Sequence, residues 1–414
     1  MPCRRQFPLA LLLLTACGTT DPGGDQPPLL SELPRSLSPA EVRVVEGANS
    51  FAFNLLREAT ASLPPDSNVF LSPLSASMAL GMALNGAVGE TYDAMRSALR
   101  LDGMAEADID RAYRDLIELL TGLDARTEML VANSIWGHAG LPIEPAFLEA
   151  GRTFFDAEVA TVDFGSPETL EAINGWVRDK TAGRIPQLLD ELRDDEVMFL
   201  VNAIYFKGKW RSQFDPSDTR DAPFHGADGQ DRTAPLMHQS EELRYVDAET
   251  FQGVDLLYGN GAFAMTVLLP RAGQTAVDVL AGFDAAKWSA LSGQFAPAEV
   301  DLTFPRFRLE YGRTLNDDLT AVGMGIAFDD AAADFSRIAD IRPERLYLSR
   351  VEQKTFVEVN EEGTEAAAAT GVGVGATSAP LTVAMRVDRP FVFAIRERLS
   401  GAIVFLGVMN AIGD

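Results

Sequence analysis

The chain has 414 residues, with 35 Lys plus Arg against 60 Asp plus Glu and a formal net charge of −25 at neutral pH. Hydrophobic residues make up 47% and charged residues 23%, a globular composition that excludes wholesale disorder. The acidic balance argues against nucleic acid as a partner, and two cysteines, Cys3 and Cys17, exclude a disulfide-stapled fold.

Both cysteines belong to the N-terminus. Arg4 and Arg5 open it, Pro8 to Leu14 is a short apolar run, and Leu14-Thr15-Ala16-Cys17-Gly18 follows. A membrane span needs about 20 apolar residues, so this run is too short for a permanent transmembrane helix and reads as a signal peptide. The residues around Cys17 resemble a bacterial lipobox, which implies cleavage before Cys17 and lipidation of its thiol. An ordinary signal peptide with an incidental cysteine is the alternative. On the lipobox reading, residues 1–16 are a lipoprotein signal peptide. The protein is then exported and lipid-anchored to a bacterial membrane, at the outer membrane or at the cell surface or periplasm. Residues 17–44, rich in Gly, Pro, Asp and Ser, read as a flexible tether. Helical periodicity starts near Val45, and residues 45–414 read as one folded unit.

Within that unit Ser72-Pro73 signals a helix start, a capping residue followed by proline, and Leu74 to Leu84 is its apolar body. Helical patterns follow at Thr91–Leu99 and Glu106–Leu120. Ser166-Pro167 repeats the start signal before an amphipathic run from Leu170 to Lys180 that stops at Gly183. Strand patterns cover Glu196–Phe206, Ala262–Leu269, Glu299–Leu309, Leu346–Val359, Pro390–Ile395 and Ile403–Val408. Helices gather early and strands late, which predicts an α+β fold.

The segment after Val359 has a different grammar. Split by parity from Thr364, one set reads Thr364, Ala366, Ala368, Thr370, Val372, Val374, Ala376, all small or β-branched and uncharged. The other set, from Glu365 through Ala367 and Ala369 to Thr377, carries Gly371, Gly373 and Gly375. A two-residue period suits a strand with one buried face, whereas the glycines and alanines suit an exposed loop. The segment fits both states.

At this point the residues resemble a known family, the serpins. Asn68-Val69-Phe70-Leu71-Ser72-Pro73-Leu74-Ser75, Ile173-Asn174-Gly175-Trp176-Val177, Val201-Asn202-Ala203-Ile204-Tyr205-Phe206-Lys207-Gly208-Lys209-Trp210, Glu361 to Thr370, and Asp388-Arg389-Pro390-Phe391-Val392-Phe393 are similar to serpin segments. They occur in the family's order from about Val45 to Asn410. The resemblance implies three β-sheets, eight or nine helices, an exposed reactive-centre loop and a metastable native state. It also implies an irreversible suicide-substrate inhibitor of serine proteases rather than an enzyme, acting as a monomer without a cofactor. The cleaved loop would insert into the main sheet and trap the acyl-enzyme.

Site residues follow from the same resemblance, position by position. Glu361, Gly363, Thr364, Ala366, Ala367, Ala368 and Ala369 match the loop hinge. Ser72, Ser75 and Asn202 match the polar "shutter" cluster behind the main sheet, and Gln353 stands where the family usually has histidine, which puts a pH-sensitive cluster in doubt. A helix cap, a surface serine and a buried amide would look the same. Trp210 matches the "breach" tryptophan, or is a core aromatic. Arg306 and Glu361 match a pair at the top of the sheet, or are two solvated charges. The family's usual loop register puts the reactive bond at Thr377-Ser378. No Lys or Arg lies between Glu365 and Arg386, so the expected partner is a serine protease of elastase-like or subtilisin-like specificity.

Rival readings are weaker. Gly371-x-Gly373-x-x-Ala376 fits a dinucleotide fingerprint, but Thr377-Ser378-Ala379-Pro380 opens no helix. A serine hydrolase lacks its Gly-x-Ser-x-Gly elbow here, and His138, His225 and His238 show neither triad context nor metal-ligand spacing. The remaining alternative is a non-inhibitory, binding or chaperone-like member of the same fold; the alanine-rich hinge favours inhibition.

Overall fold

The computed structural model describes residues 26–193, 196–364 and 382–412. The expected signal peptide, Cys17, and the loop residues Ala366, Ala367, Ala368, Ala369, Thr377 and Ser378 lie outside the described residues.

The first part of the chain is mostly helical: α1 (Pro39–Ala61), β1 (Val69–Leu71), α2 (Pro73–Leu84), α3 (Gly89–Ala98) and α4 (Glu106–Gly122). Then come β2 (Thr127–His138), α5 (Pro145–Phe155), β3 (Glu158–Val162), α6 (Pro167–Lys180) and β4 (Met198–Lys209). Strands β5 (Arg220–His225), β6 (Asp231–Asp247), β7 (Phe251–Leu257) and β8 (Phe263–Pro270) lead to the short helices α7 (Ala276–Ala281) and α8 (Ala285–Ser292). The rest is β9 (Ala296–Pro305), β10 (Phe307–Thr314), α9 (Asn316–Leu319), β11 (Arg350–Asn360), β12 (Gly363–Thr364), β13 (Val383–Arg386), β14 (Phe391–Glu397) and β15 (Ile403–Met409). Among the described residues the fold is α+β, with nine α-helices and two hydrogen-bonded sheets.

The six-stranded sheet runs β10-β11-β12-β4-β2-β3 and the nine-stranded one β1-β15-β14-β8-β7-β6-β9-β13, with β5 added on β6. Two of the three sheets expected from the resemblance are continuous through β6, which pairs with β9 over Leu236–Tyr245 and with β7 over Arg244–Asp247. One apolar core lies among α1, α2 and both sheets, around Phe51, Phe70 and Phe405. A second, holding Trp136, Ile173, Val177, Phe199 and Phe356, lies where α6 crosses the other face of the six-stranded sheet. Residues on β4 are buried on both faces for this reason, and its sequence carries no polar alternation.

Four sequence expectations need correction. The tether reading of residues 17–44 fails from Gln26 onward. Leu30, Leu33 and Leu37 pack on the core, and Leu30 N–H donates to Asn260 O at 2.8 Å. Helix α1 starts at Pro39, not near Val45, because Ser38 and Glu41 form a reciprocal capping box. The strand expected at Glu299–Leu309 is two strands in different sheets. It breaks at Arg306, where the backbone turns to donate to Pro235 O at 2.8 Å. Ser72 does occupy the N-cap position of α2 but caps nothing; its hydroxyl donates instead to Val404 O at 2.7 Å.

Candidate functional site

The site is the seam between β4 and β11. These strands pair in parallel from Phe199–Arg350 to Ile204–Thr355; above that, among the described residues, β12 lies between them. Thr364 faces Val359 on one side and Gly208 on the other, antiparallel to both. The turn that delivers it is fixed by Asn360, whose Oδ1 accepts from the N–H groups of Glu362 and Gly363 at 3.0 and 3.2 Å. Gly363 has φ 152°, and a Cβ there would stand 2.1 Å from Gly208 O, so only glycine passes.

Four residues singled out from the sequence meet behind the seam. Ser72, Ser75, Asn202 and Gln353 are each at most 1% exposed. Gln353 Nε2 donates to Asn202 Oδ1 at 2.7 Å, and Asn202 Nδ2 donates to Ser75 Oγ at 2.5 Å. The same Nδ2 reaches Asn133 Oδ1 at 2.7 Å, a residue that the sequence reading did not find. Asn133 is directly opposite Asn202 in the β2–β4 register, and β2 itself gave no recognisable strand pattern. These bonds tie α2, β2, β4 and β11 together in a dry interior, where only Asn133 Nδ2 among the cluster's amide groups is left without a partner.

At the upper end Trp210 Nε1 donates to Asn360 O at 2.9 Å, and its backbone N–H donates to Glu362 O at 2.7 Å. The indole is stacked on Tyr258, centroids 4.4 Å apart. Glu361 accepts from Thr219 Oγ1 at 2.7 Å and stands 3.5 Å from Arg306, which is half exposed. Such a pair is worth only about 0–1 kcal/mol.

The lower end is closed by ions that the sequence reading also missed. Arg350 Nε lies 2.9 Å from the buried Glu196, and Lys354 Nζ donates to Gln187 O at 2.6 Å. Burial pushes the Glu352 carboxyl above its ordinary value, and Thr314 Oγ1 donates to it at 2.6 Å. The histidines are dispersed: His225 pairs with Asp231 and His238 with Asp301 on exposed surface, at 2.7 and 2.6 Å, while His138 sits on its neighbour's carbonyl.

These features define an α+β protein whose six-stranded sheet holds Gly363 and Thr364 between its two central strands, above a buried amide cluster. Residues 46–411 match the profile of the family described as Serpin (serine protease inhibitor). The chain is 34% identical over 378 residues to an uncharacterized serpin-like protein of Thermococcus kodakarensis, covering 89% of this chain and 86% of the relative. It is 35% identical over 374 residues to the leukocyte elastase inhibitor of Sus scrofa, covering 87% and 97%. The native state of the thermophilic serpin tengpin superposes with a TM-score of 0.84 at 27% identity, covering 94% of this chain and 98% of that one. The chain belongs to the serpin family.

Proposed function

We propose that this protein is an irreversible inhibitor of serine proteases that traps its target by loop insertion. The observation that carries the reading is the seating of Gly363–Thr364 between β4 and β11, with Thr364 fully buried. Thr364 is the first member of the parity set that is small and uncharged throughout, and its pairing within the sheet supports a strand that continues along the seam. The protease serine attacks the loop carbonyl; an ester bond forms, the peptide bond breaks, and the protease histidine hands its proton to the leaving amine. Serpin loop insertion is a known instance of strand addition. Here it would bury the valines of the set at roughly 1.5–3 kcal/mol each, against no buried charge.

The reading extends to the target and the location. The bond at Thr377-Ser378 suits a shallow, elastase-like or subtilisin-like pocket, and relatives named leukocyte elastase inhibitor support that choice. Trypsin-like pockets, built around a buried carboxylate, would be left unpaired. Lipidation at Cys17 would hold the inhibitor at a bacterial membrane.

The deciding experiment incubates the protein with an elastase-type protease and with trypsin, then runs both on denaturing gels. A covalent complex with the elastase-type enzyme and none with trypsin is expected. Clean cleavage of the loop without any complex would favour a non-inhibitory member of the fold.

A further inference from the structure

Tyr258 lies where the hinge meets the sheet. Its ring is fully buried, stacks on Trp210 and meets Phe206 edge-on at 5.0 Å. Its hydroxyl is 2.7 Å from Thr364 Oγ1, so two buried hydroxyls partner one another across 106 residues of sequence. Burial holds the phenol well above its ordinary range, which keeps its proton in place. The surrounding backbone is shaped to fit: a Cβ on Gly208 would stand 2.8 Å from the Tyr258 ring. Two main-chain bonds brace the turns bearing both aromatics, Gly259 N–H to Lys209 O at 2.9 Å and Arg211 N–H to Leu257 O at 2.7 Å.

We propose that Tyr258 is a positioning residue for loop insertion: its hydroxyl seats Thr364 at the head of the seam, so that the residues behind it follow as a strand in register. The inference rests on the inhibitory reading and deepens it. Thr364 is already paired to both neighbouring strands, so insertion of later residues leaves this bond intact. The bond therefore does not oppose insertion; it completes the first step in advance. Without it, Thr364 Oγ1 is a buried hydroxyl lacking a partner, the hinge withdraws, and the step must be made while the acyl-enzyme is hydrolysing. Trapping and release are in competition, and the seat favours trapping.

Tyr258→Phe removes the hydroxyl and keeps the stack on Trp210. The ratio of cleaved to trapped inhibitor is expected to rise about 5–10-fold, while the initial association rate stays within about twofold of the parent. Thr364→Val removes the other hydroxyl and should match it, Thr364→Ser should stay near the parent, and the double variant Tyr258→Phe with Thr364→Val should be no worse than either single one. A parent-like ratio in Tyr258→Phe overturns the proposal; if that variant does not fold, Thr364→Val decides by the same criterion. If the parent traps no protease, the inhibitory reading falls, and the seat is judged by tryptophan emission after loop cleavage with a broad-specificity metalloprotease. Slower insertion in Tyr258→Phe then supports it, and equal rates, or no insertion in either protein, overturn it.

Discussion

Gln353 and Ser72 exchange two hydrogen bonds: Ser72 N–H donates to Gln353 Oε1, and Gln353 Nε2 donates to Ser72 C=O, both at 2.9 Å. An amide is suited to this, since it presents a donor and an acceptor in one plane and holds both at any pH. The third bond, to Asn202, carries the contact from β11 to β4.

Gln353→Ala would leave buried groups on Ser72 and Asn202 unpaired, so a loss of about 2–4 kcal/mol is expected in thermal or denaturant unfolding. Gln353→His is expected to make the fold acid-sensitive. A neutral imidazole keeps an acceptor for Ser72 N–H and protonation removes it, so burial depresses the folded pKa below about 6.5. Stability is then present above that value and lost as the pH falls through the depressed one. Melting curves across acid pH, flat for the parent at this site and steep for the variant, would show it; equal slopes would refute it.

Thr364→Arg tests the buried face of the proposed hinge. Thr364 has no exposed surface, and an unpaired guanidinium there costs several kcal/mol, so β12 should be expelled while the rest of the sheet stands. The variant is expected to be cleaved by its target at the parent's rate and to form little or no covalent complex. An undiminished yield of complex on a denaturing gel would contradict the assignment.

Asp110 supplies a pH test remote from the seam. It is 5% exposed, accepts from Asn85 Nδ2 at 2.7 Å, and burial raises its carboxyl to about 6 from an ordinary 3.8. A raised carboxyl holds its proton more tightly in the folded state. Its contribution is therefore complete below 3.8 and lost as the pH climbs through about 6. Asp110→Asn keeps an acceptor without the charge. The variant should exceed the parent by about 1–2 kcal/mol near pH 7 and converge with it near pH 4. Parallel stability curves over that range would count against this account.

Cys17→Ser tests the proposed anchor. The serine hydroxyl replaces the thiol that lipidation requires, so the protein is expected to leave the membrane fraction for the soluble one. Retention of the variant on membranes after a salt wash would argue that something other than lipid holds it.

The sequence was most legible where structure is local. Ser72-Pro73 and Ser166-Pro167 mark the starts of α2 and α6, and the apolar runs locate β4, β8, β14 and β15 to within a few residues. The capping box Ser38-Pro39-Ala40-Glu41 was equally local and was obscured by the Pro- and Gly-rich stretch before it. What stayed hidden depends on pairing at long range. Asn133 joins the amide cluster through strand register, and Tyr258 reaches Thr364 only after the sheet has formed. The break at Arg306 arises because two sheets meet there, a fact that no window of sequence contains.

The docked stretch before α1 also bears on how the molecule would stand at a membrane. Gln26 Nε2 donates to Arg211 O at 2.9 Å, and Arg211 returns a bond to Pro27 O at 2.8 Å. On the proposed anchoring, nine residue steps separate the lipid-bearing Cys17 from that fixed point, about 30 Å at full extension and less otherwise. The leash is therefore no longer than a bilayer core is thick, and its point of attachment is the residue next to Trp210. Lipidation would then fix an orientation as well as an address: the end of the sheet where Thr364 enters would face the lipid. A target protease would have to work in the narrow space beside the membrane.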